Sequence, residues 1–375
     1  MKLLLKKIGD LSIPLVAGIV TALIWANADF AGYHHFVYGK FWGGANFHFL
    51  VNDVFLVFFF GLVSVEIVHG MEPVGNLFPL RSTVSNLLGA CGGVLLPIVI
   101  FFTLNRLIGS PAYAHGWAVP TATDVAISLL FAGLIFDRHH PAYTFLLLLA
   151  IADDVIGLII IAFFYPDPET AVELKWLVWV AAGLGVALAM RQIKIKSYWL
   201  YILIAGALVW FGMHKANLHP SLALILIVPF IPHGKSDNGK ASELDKFEKL
   251  FQPIVNYGLF CFGLSNAGVV FSSVSNLTGI VFVALLLGKT FGIFAFTKLG
   301  CRLGFPINSR ITSHDLLIVS MVAGIGLTVS LFVADIAYTE ISLKDAAKMG
   351  ALLSMLNGFL AVIAGKLLLK KKIDL

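Results

Sequence analysis

Residues 142–164 read AYTFLLLLAIADDVIGLIIIAFF, an apolar run of 23 residues with Asp153 and Asp154 at its centre. An apolar helix of about 20 residues spans the hydrocarbon core of a bilayer. One aspartate at the centre of such a helix costs about 2.5 to 3.5 kcal/mol on insertion scales, and an adjacent pair costs about twice as much. We expect such a pair only where it faces a protein-lined or water-filled cavity. The stretch therefore predicts a cation or proton site near the middle of the membrane.

The composition of the chain excludes a soluble globular protein. Hydrophobic residues make up 59% of the 375 residues and charged residues only 13%, whereas soluble domains carry about 25% charged residues. No polar stretch is long enough for a second domain, so residues 1–375 are predicted to form one integral membrane domain. The net charge of +5 belongs to loops and does not predict nucleic-acid binding. The three cysteines match no metal-ligand spacing, and nothing in the sequence predicts an enzyme or a bound cofactor.

Apolar runs separated by polar breaks predict an all-α polytopic protein with about twelve transmembrane helices. The predicted spans lie near residues 11–28, 48–71, 83–105, 117–136, 142–165, 174–190, 197–214, 218–232, 247–270, 278–298, 313–335 and 346–366. With both termini in the cytoplasm, 19 of the 26 lysines and arginines lie on the cytoplasmic side and 6 on the outer side, while Lys289 lies inside the membrane. Because cytoplasmic loops are enriched in lysine and arginine, this orientation is the predicted one.

Two of the predicted spans contain signals for a break in the helix. Span four has Pro120 shortly before Thr123 and Asp124, and a proline removes a donor and disrupts the turn before it. Alternatively, the proline occupies a first helical turn and Asp124 lies at the aqueous end. Span eleven contains Gly324 and Gly326, which weaken a helix or simply allow close helix packing. Interrupted spans in corresponding places of two halves are typical of transporters built from inverted-topology repeats, and this symmetry favours two interrupted helices.

A lysine in span ten needs a partner. Lys289 lies near the centre of that span, too deep to reach an interface easily. It must pair with a carboxylate or lose its proton, and Asp153 and Asp154 are the candidates nearest in depth. A purely structural ion pair is the alternative. Asp335, near the outer end of span eleven, is expected to be solvated.

The paired carboxylates suggest a mode of exchange. Burial and like charge both disfavour ionisation of two adjacent carboxylates, so the pair holds protons or a small hard cation, but not both. Competition of protons and Na+ for one site that opens alternately to each side is antiport. A cation-coupled symporter of an organic substrate is the alternative, although it needs a more varied polar lining. An intramembrane aspartyl protease needs two aspartates that share a proton, and Lys289 at the same depth would keep one of them ionised.

Four stretches carry a resemblance to a known family. They are PTATDVA at 120–126, AIADDVIGLIIIAFFY at 150–165, LLLGKTFGI at 285–293 and GIGLTVSLF at 324–332. The chain resembles the NhaA family of bacterial Na+/H+ antiporters over nearly its whole length. The resemblance implies that Asp153 and Asp154 bind the transported Na+ or protons and that Thr123 is an additional ligand. It also implies that Asp124 and Lys289 balance the charges at the facing ends of the two broken helices, near Gly324 and Gly326, with Lys289 also pairing with Asp153.

The resemblance implies further properties of the whole protein. Glu66, His219 and Glu248 match positions that the family associates with pH response. The expected fold has twelve helices with inverted repeats, and the expected assembly is a homodimer in the lipid bilayer of the bacterial inner membrane. Transport of Na+ and Li+ against protons is expected to be electrogenic. The chain departs from the family after its glutamate on span two, where it reads Glu66-Ile67-Val68-His69-Gly70 and lacks the usual basic residue and second glutamate, so the pH profile is expected to be shifted.

Overall fold

The structure is a computed structural model, and it describes residues 2–41, 44–71, 80–137, 139–165, 173–233 and 241–369. Within these ranges the chain is helical and contains no strand, apart from a single bridge between Lys40 and Asn46. The α-helices are α1 Lys2–Ala28, α2 Phe30–Tyr38, α3 Phe47–Phe49, α4 Leu56–Met71, α5 Leu80–Ile108, α6 Val125–Ile135, α7 Pro141–Phe164, α8 Leu177–Gln192, α9 Tyr198–Leu200, α10 Ala207–Lys215, α11 Ala223–Ile227, α12 Glu243–Asn266, α13 Asn276–Val283, α14 Thr290–Arg302, α15 Ser313–Val322, α16 Thr328–Ala337, α17 Ile341–Leu353 and α18 Met355–Leu369.

Several neighbouring helices continue into one another through wider π-helical turns. Leu50–Phe55 joins α3 to α4, Tyr201–Gly206 joins α9 to α10, and Ala284–Lys289 joins α13 to α14. Such turns are rare in proteins and are frequent at functional sites. The third of them ends at Lys289, the buried lysine that the sequence singles out.

The all-helical membrane class is confirmed. Among the residues that the structure describes, six continuous helices are long and apolar enough to cross a bilayer. They are Phe47–His69, Val84–Ile108, Pro141–Phe164, Leu174–Gln192, Asn276–Arg302 and Ile341–Leu369. Pro111–Thr121 and Val125–Ile135, bent by 55° with respect to each other, make a seventh if they form one span. The other predicted spans fall on helices that are shorter or less apolar, so the total of twelve stays a prediction.

Glycines allow two pairs of helices to pack backbone against backbone. A Cβ atom on Gly292 of α14 would lie 2.1 Å from the carbonyl oxygen of Gly92 on α5. A Cβ atom on Gly18 of α1 would lie 2.2 Å from the carbonyl oxygen of Phe260 on α12. Because lipid offers no hydrophobic drive for association between apolar helices, such close approach is the usual means of holding them together. The first of these contacts fixes α14, and with it Lys289, beside α5.

Candidate functional site

The chain leaves helical geometry just before α6. Pro111–Thr121 forms a tight 3-10 helix with non-helical backbone at Gly116 and Pro120. Residues 122–124 are not helical, and the backbone is extended at Ala122 and Asp124. Asp124 then caps α6, because its Oδ1 accepts the backbone N–H of Ile127 at 2.9 Å. A proline cannot supply the backbone donor that a continuing helix needs, and an aspartate is a preferred N-cap residue.

A second non-helical segment lies between α15 and α16. α15 ends at Val322, residues 323–327 leave the helix, and α16 begins at Thr328. A Cβ atom on Gly326 would lie 2.6 Å from the carbonyl oxygen of Ala122. The glycine therefore permits this segment to approach the extended residues before α6, which is the packing role that the sequence left open.

The two non-helical segments contact each other directly. The backbone N–H of Asp124 donates to the carbonyl of Ile325 at 2.7 Å, and the Thr123 hydroxyl donates to the carbonyl of Ala323 at 2.8 Å. The second carboxylate oxygen of Asp124 accepts the backbone N–H of Thr328 at 3.1 Å. Asp124 thus caps the N-termini of both α6 and α16. A negative charge is stabilised at a helix N-terminus, and here one carboxylate accepts hydrogen bonds from the N-termini of two helices.

Side chains from neighbouring helices satisfy the remaining backbone groups. Asn357 donates to the carbonyl of Gly324 at 2.7 Å, and the Ser354 hydroxyl lies 3.1 Å from the backbone nitrogen of Gly326. Ser128 donates to the carbonyl of Val322 at 3.1 Å. A buried backbone group without a partner costs about 1 to 3 kcal/mol, so these polar residues stabilise the broken geometry. Sequence reasoning missed all three, and their only signal is a small polar residue within an apolar helix.

Lys289 joins the non-helical segments to α7. Its side chain is fully buried, and its ammonium donates to the Thr123 hydroxyl at 2.9 Å and forms an ion pair with Oδ2 of Asp153. The turn that carries it is pressed against α5, because a Cβ atom on Gly288 would lie 2.6 Å from Cα of Pro97. The structure therefore places Lys289 against one of its two candidate carboxylates.

The two aspartates of α7 have different surroundings. Adjacent helical residues point about 100° apart, so only Asp153 faces the ammonium of Lys289. Oδ1 of Asp153 and Oδ1 of Asp154 are both buried and have no hydrogen-bond partner among the described residues. The charged groups that act electrostatically on Asp154 are Asp153, Glu66, Asp124 and Lys289. Buried carboxylate oxygens without a partner require a proton, a water molecule or a cation.

The predicted site residues therefore fall into two groups. Thr123, Asp124, Asp153, Asp154 and Lys289 come together around the contact between the two non-helical segments. The residues predicted to respond to pH lie outside it: Glu66 is exposed on α4, His219 precedes Pro220 with its ring 5.8 Å from the ring of Phe332 on α16, and Glu248 is half-buried on α12.

One expectation about a buried charge is wrong. Asp335 on α16 was expected to be solvated, but only 5% of its surface is exposed. It accepts a hydrogen bond from Lys348 at 2.8 Å and lies 2.9 Å from Nε2 of His48. The helix bearing Asp335 packs beneath α17, and lysines spaced four residues apart on α17 make burial of the carboxylate possible. Sequence position alone carries no information about that packing.

Comparisons with known proteins show the family of the chain. The family model described as "Na+/H+ antiporter 1" matches residues 4–369. The chain belongs to the Na+/H+ antiporter 1 family. A protein from Geobacter sulfurreducens named Na(+)/H(+) antiporter NhaA is 48% identical over 372 residues, which cover 97% of this chain and 97% of that protein.

Further members of the Na+/H+ antiporter 1 family match over the same length. Na(+)/H(+) antiporter NhaA 1 of Pelobacter propionicus is 47% identical over 381 residues, with both chains covered completely. Na(+)/H(+) antiporter NhaA of Jannaschia sp. is 36% identical over 408 residues, which cover 95% of this chain and 96% of that protein. The family resemblance read from the four sequence stretches is confirmed.

Proposed function

We propose that this chain expels Na+ from the cytoplasm in exchange for external protons, with Asp153 and Asp154 as the shared binding site. The observation that carries the proposal is the pair of unpartnered, buried carboxylate oxygens on α7. A site of this kind must take up a proton or a cation, and a transporter that presents it alternately to each side exchanges one for the other. The family membership and the names of its relatives support the same activity.

In this proposal Asp154 is the more direct cation ligand. Lys289 already neutralises Asp153, so the second carboxylate is the one left to attract a positive ion. Na+ and Li+ prefer oxygen ligands, and the Thr123 hydroxyl lies beside the pair. An arriving cation repels the Lys289 ammonium, which then leaves Asp153. Protons that replace the cation neutralise the carboxylates, and the neutral site can then open again to the cytoplasmic side.

We assign charge balance at the crossing to Asp124 and Lys289. Asp124 is bonded to the first turns of α6 and α16, and Lys289 is bonded to Thr123, whose hydroxyl donates to a carbonyl at the end of α15. This arrangement supports an architecture of twelve spans with inverted repeats, in which Pro111–Ile135 and Ser313–Ala337 each form one interrupted span. Discontinuous helices that cross near the middle of the membrane are how transporters of this kind build ion sites.

The remaining properties follow from the family expectation. We propose that exchange is electrogenic, accepts Li+ as well as Na+, and is regulated by pH through Glu66, His219 and Glu248. The electrostatic influence of Glu66 on Asp154 supports a link between the two groups. Activity that stays flat between about pH 6.5 and about pH 8.5 would contradict the role of Glu66, because a carboxylate that senses pH must change charge in the working range.

We further propose that the protein is a homodimer in the bacterial inner membrane with both termini in the cytoplasm. The distribution of lysine and arginine supports this orientation. Apolar side chains at the start of α8 are exposed in a single copy of the chain. Leu174, just before α8, is 71% exposed, and Val178, within α8, is 63% exposed. They suit lipid or a second copy. The alternative function, a symporter of an organic substrate, is not favoured, since the relatives carry the antiporter name.

Inside-out membrane vesicles from cells that lack their own antiporters test the function. Respiration acidifies the lumen, NaCl is added, and a pH-sensitive dye reports whether protons leave. We expect Na+ and Li+ to collapse the gradient with the wild type and not with Asp154→Asn. The matched control is Asp137→Asn, which makes the same chemical change at an exposed turn where Asp137 caps the N–H of His139.

The outcomes separate the parts of the proposal. Retained exchange in Asp154→Asn would remove that residue from the ion site. An equal response to K+ would contradict the ion assignment but leave antiport standing. A wild-type protein that responds to no cation would overturn the antiporter proposal.

A further inference from the structure

A second group of buried charges lies away from the proposed ion site. Asp335, in the last turns of α16, lies 2.8 Å from Nζ of Lys348, 3.6 Å from Nζ of Lys344 and 2.9 Å from Nε2 of His48. We call these four residues the outer charge cluster. Its members come from α3, α16 and α17, so it ties three separate elements together. Nothing in the proposed exchange at Asp153 and Asp154 uses it.

The outer charge cluster borders a cavity of about 230 Å3. α2 contributes Tyr33, His34 and Tyr38 to its lining, and α17 contributes Lys344 and Lys348. Because one water molecule occupies about 30 Å3 in the liquid, the cavity has room for several. The elements around it lie on the face that the distribution of lysine and arginine predicts to be external. External solvent can therefore exchange protons with the cluster.

The imidazole of histidine ordinarily changes its charge between about pH 5 and about pH 8. Burial raises the pKa of Tyr33 and of Tyr38 above its ordinary value, so both phenols stay neutral. Among the described residues, charged and titratable groups surround His48 on three other helices and on its own segment of the chain. They are Asp335 on α16; Lys344, Asp345 and Lys348 on α17; His34 and Tyr38 on α2; and Lys40 and Asp53, close to His48 in the sequence. The ring centroids of His34 and Tyr38 lie 4.7 Å apart, whereas Nε2 of His48 lies 2.9 Å from a carboxylate oxygen of Asp335.

The Nε2 atom of His48 faces two groups with opposite demands. It lies 2.9 Å from a carboxylate oxygen of Asp335 and 2.8 Å from the amide nitrogen of Asn52. A nitrogen that carries a proton donates to the carboxylate, and a nitrogen without one accepts from the amide, but it cannot do both. The Asn52 amide is also bonded in both directions to the Asn266 amide on α12, at 2.9 and 3.2 Å. The imidazolium form of His48 always carries a proton on Nε2 and donates to Asp335, whereas the neutral ring can carry its single proton on either nitrogen. Protonation of His48 therefore removes the arrangement in which Nε2 accepts from Asn52.

α16 connects the hydrogen bonds of His48 to the proposed ion site. Its 10 residues rise about 15 Å. Its first residue, Thr328, is bonded to Asp124 at the crossing, and Asp335 near its other end is held by the outer charge cluster. Restraining the outer end of α16 therefore restrains the segment that forms the site.

We propose that His48 and Asp335 form a proton-dependent latch on the external face, held closed when His48 is protonated and free to open when His48 is neutral. The latch rests on the proposed antiport function, because it acts by slowing the movement of α16 during exchange. External acid then slows transport independently of the residues proposed to sense cytoplasmic pH. The closed state ties the start of the Phe47–His69 helix to α16, and the open state leaves Asp335 to its two lysines.

Na+ exchange in right-side-out membrane vesicles tests the latch. Na+ is saturating and equal on both sides, the internal pH is fixed, and the efflux of trapped radioactive Na+ is followed while only the external pH varies. Because external protons by themselves drive Na+ efflux through antiport, slower efflux at acid external pH is opposite to the effect of the proton gradient. We expect the wild-type rate to be about fivefold lower at about pH 5.5 than at about pH 8, within the range of ordinary coupling energies. His48→Gln should be fast and His48→Arg slow at every external pH, since neither side chain titrates there. Rates are normalised to the amount of protein in the membrane.

His34→Gln is the matched control, because His34 lines the same cavity without contacting Asp335. It should keep the wild-type dependence on external pH. The latch is overturned if His48→Gln and the wild type respond identically, or if His34→Gln loses the response as fully as His48→Gln. Failure of the latch leaves Na+ exchange intact, whereas a wild type that exchanges no Na+ at any external pH overturns the antiport function and the latch together.

Discussion

The ion pair between Lys289 and Asp153 makes a double-mutant prediction that can be worked out from the structure. Both side chains are buried, at 0% and 3% exposure, and the lysine also donates to Thr123 at 2.9 Å. Removing one partner of such a pair leaves an uncompensated buried charge and costs about 3 to 5 kcal/mol, whereas replacing both by neutral groups of similar volume is often nearly neutral. Lys289→Met should therefore be strongly destabilising, and the further change Asp153→Asn should restore most of the loss.

Heating the detergent-purified protein and measuring the fraction that remains monodisperse tests this cycle. The expected coupling between the two substitutions is about 3 kcal/mol, at the upper end of couplings between contacting residues. Lys298→Met is the matched control, because it removes a lysine from the same helix, where its ammonium contacts the Ser313 hydroxyl at 2.7 Å near the surface. Its effect should be below about 0.5 kcal/mol.

Two results would refute the reasoning. If Lys289→Met is as stable as the wild type, Asp153 does not depend on the ammonium for its burial. If the double variant is as unstable as the two single variants combined, the residues act independently and the pair is not a unit.

Three further predictions concern the crossing between the non-helical segments, and each is checked by the same heating assay together with Na+ exchange in inside-out vesicles. Gly326→Ala brings a methyl group to 2.6 Å from a backbone carbonyl, so it should cost about 1 to 3 kcal/mol of stability and impair exchange. The control Gly157→Ala has open space around its Cβ and should be neutral or stabilising by up to about 1 kcal/mol. Equal effects of the two substitutions would contradict the close contact at the crossing. Asp124→Asn removes the charge from two helix N-termini and should cost about 1 to 2 kcal/mol, so an unchanged melting curve would show that the charge is not needed there. Asn357→Ala leaves the carbonyl of Gly324 without its donor and should cost about 1 to 3 kcal/mol; full stability would mean that another group satisfies this carbonyl.

The sequence by itself determined the class of the protein and singled out the charges that need partners. Lipid penalises every exposed polar group, so a chain with 13% charged residues and long apolar runs can only be a membrane protein. The same penalty marks Asp153, Asp154 and Lys289 as residues that need partners, because the cost of burial depends only on their position within an apolar run. The proline of span four and the glycines of span eleven likewise predicted interruptions, and in the structure Pro111–Thr121 and α15, which ends at Val322, are each followed by non-helical residues.

Only the tertiary structure decided which groups meet. That Lys289 faces Asp153, that Asp124 caps α16 as well as α6, and that Asp335 is buried under lysines of α17 all depend on which helices are neighbours. Helix neighbours are set by close packing between residues far apart in the chain, such as Gly92 and Gly292. Hydropathy reports only the distance of a residue from water, and it carries no information about direction around a helix axis or about the partner on the other side.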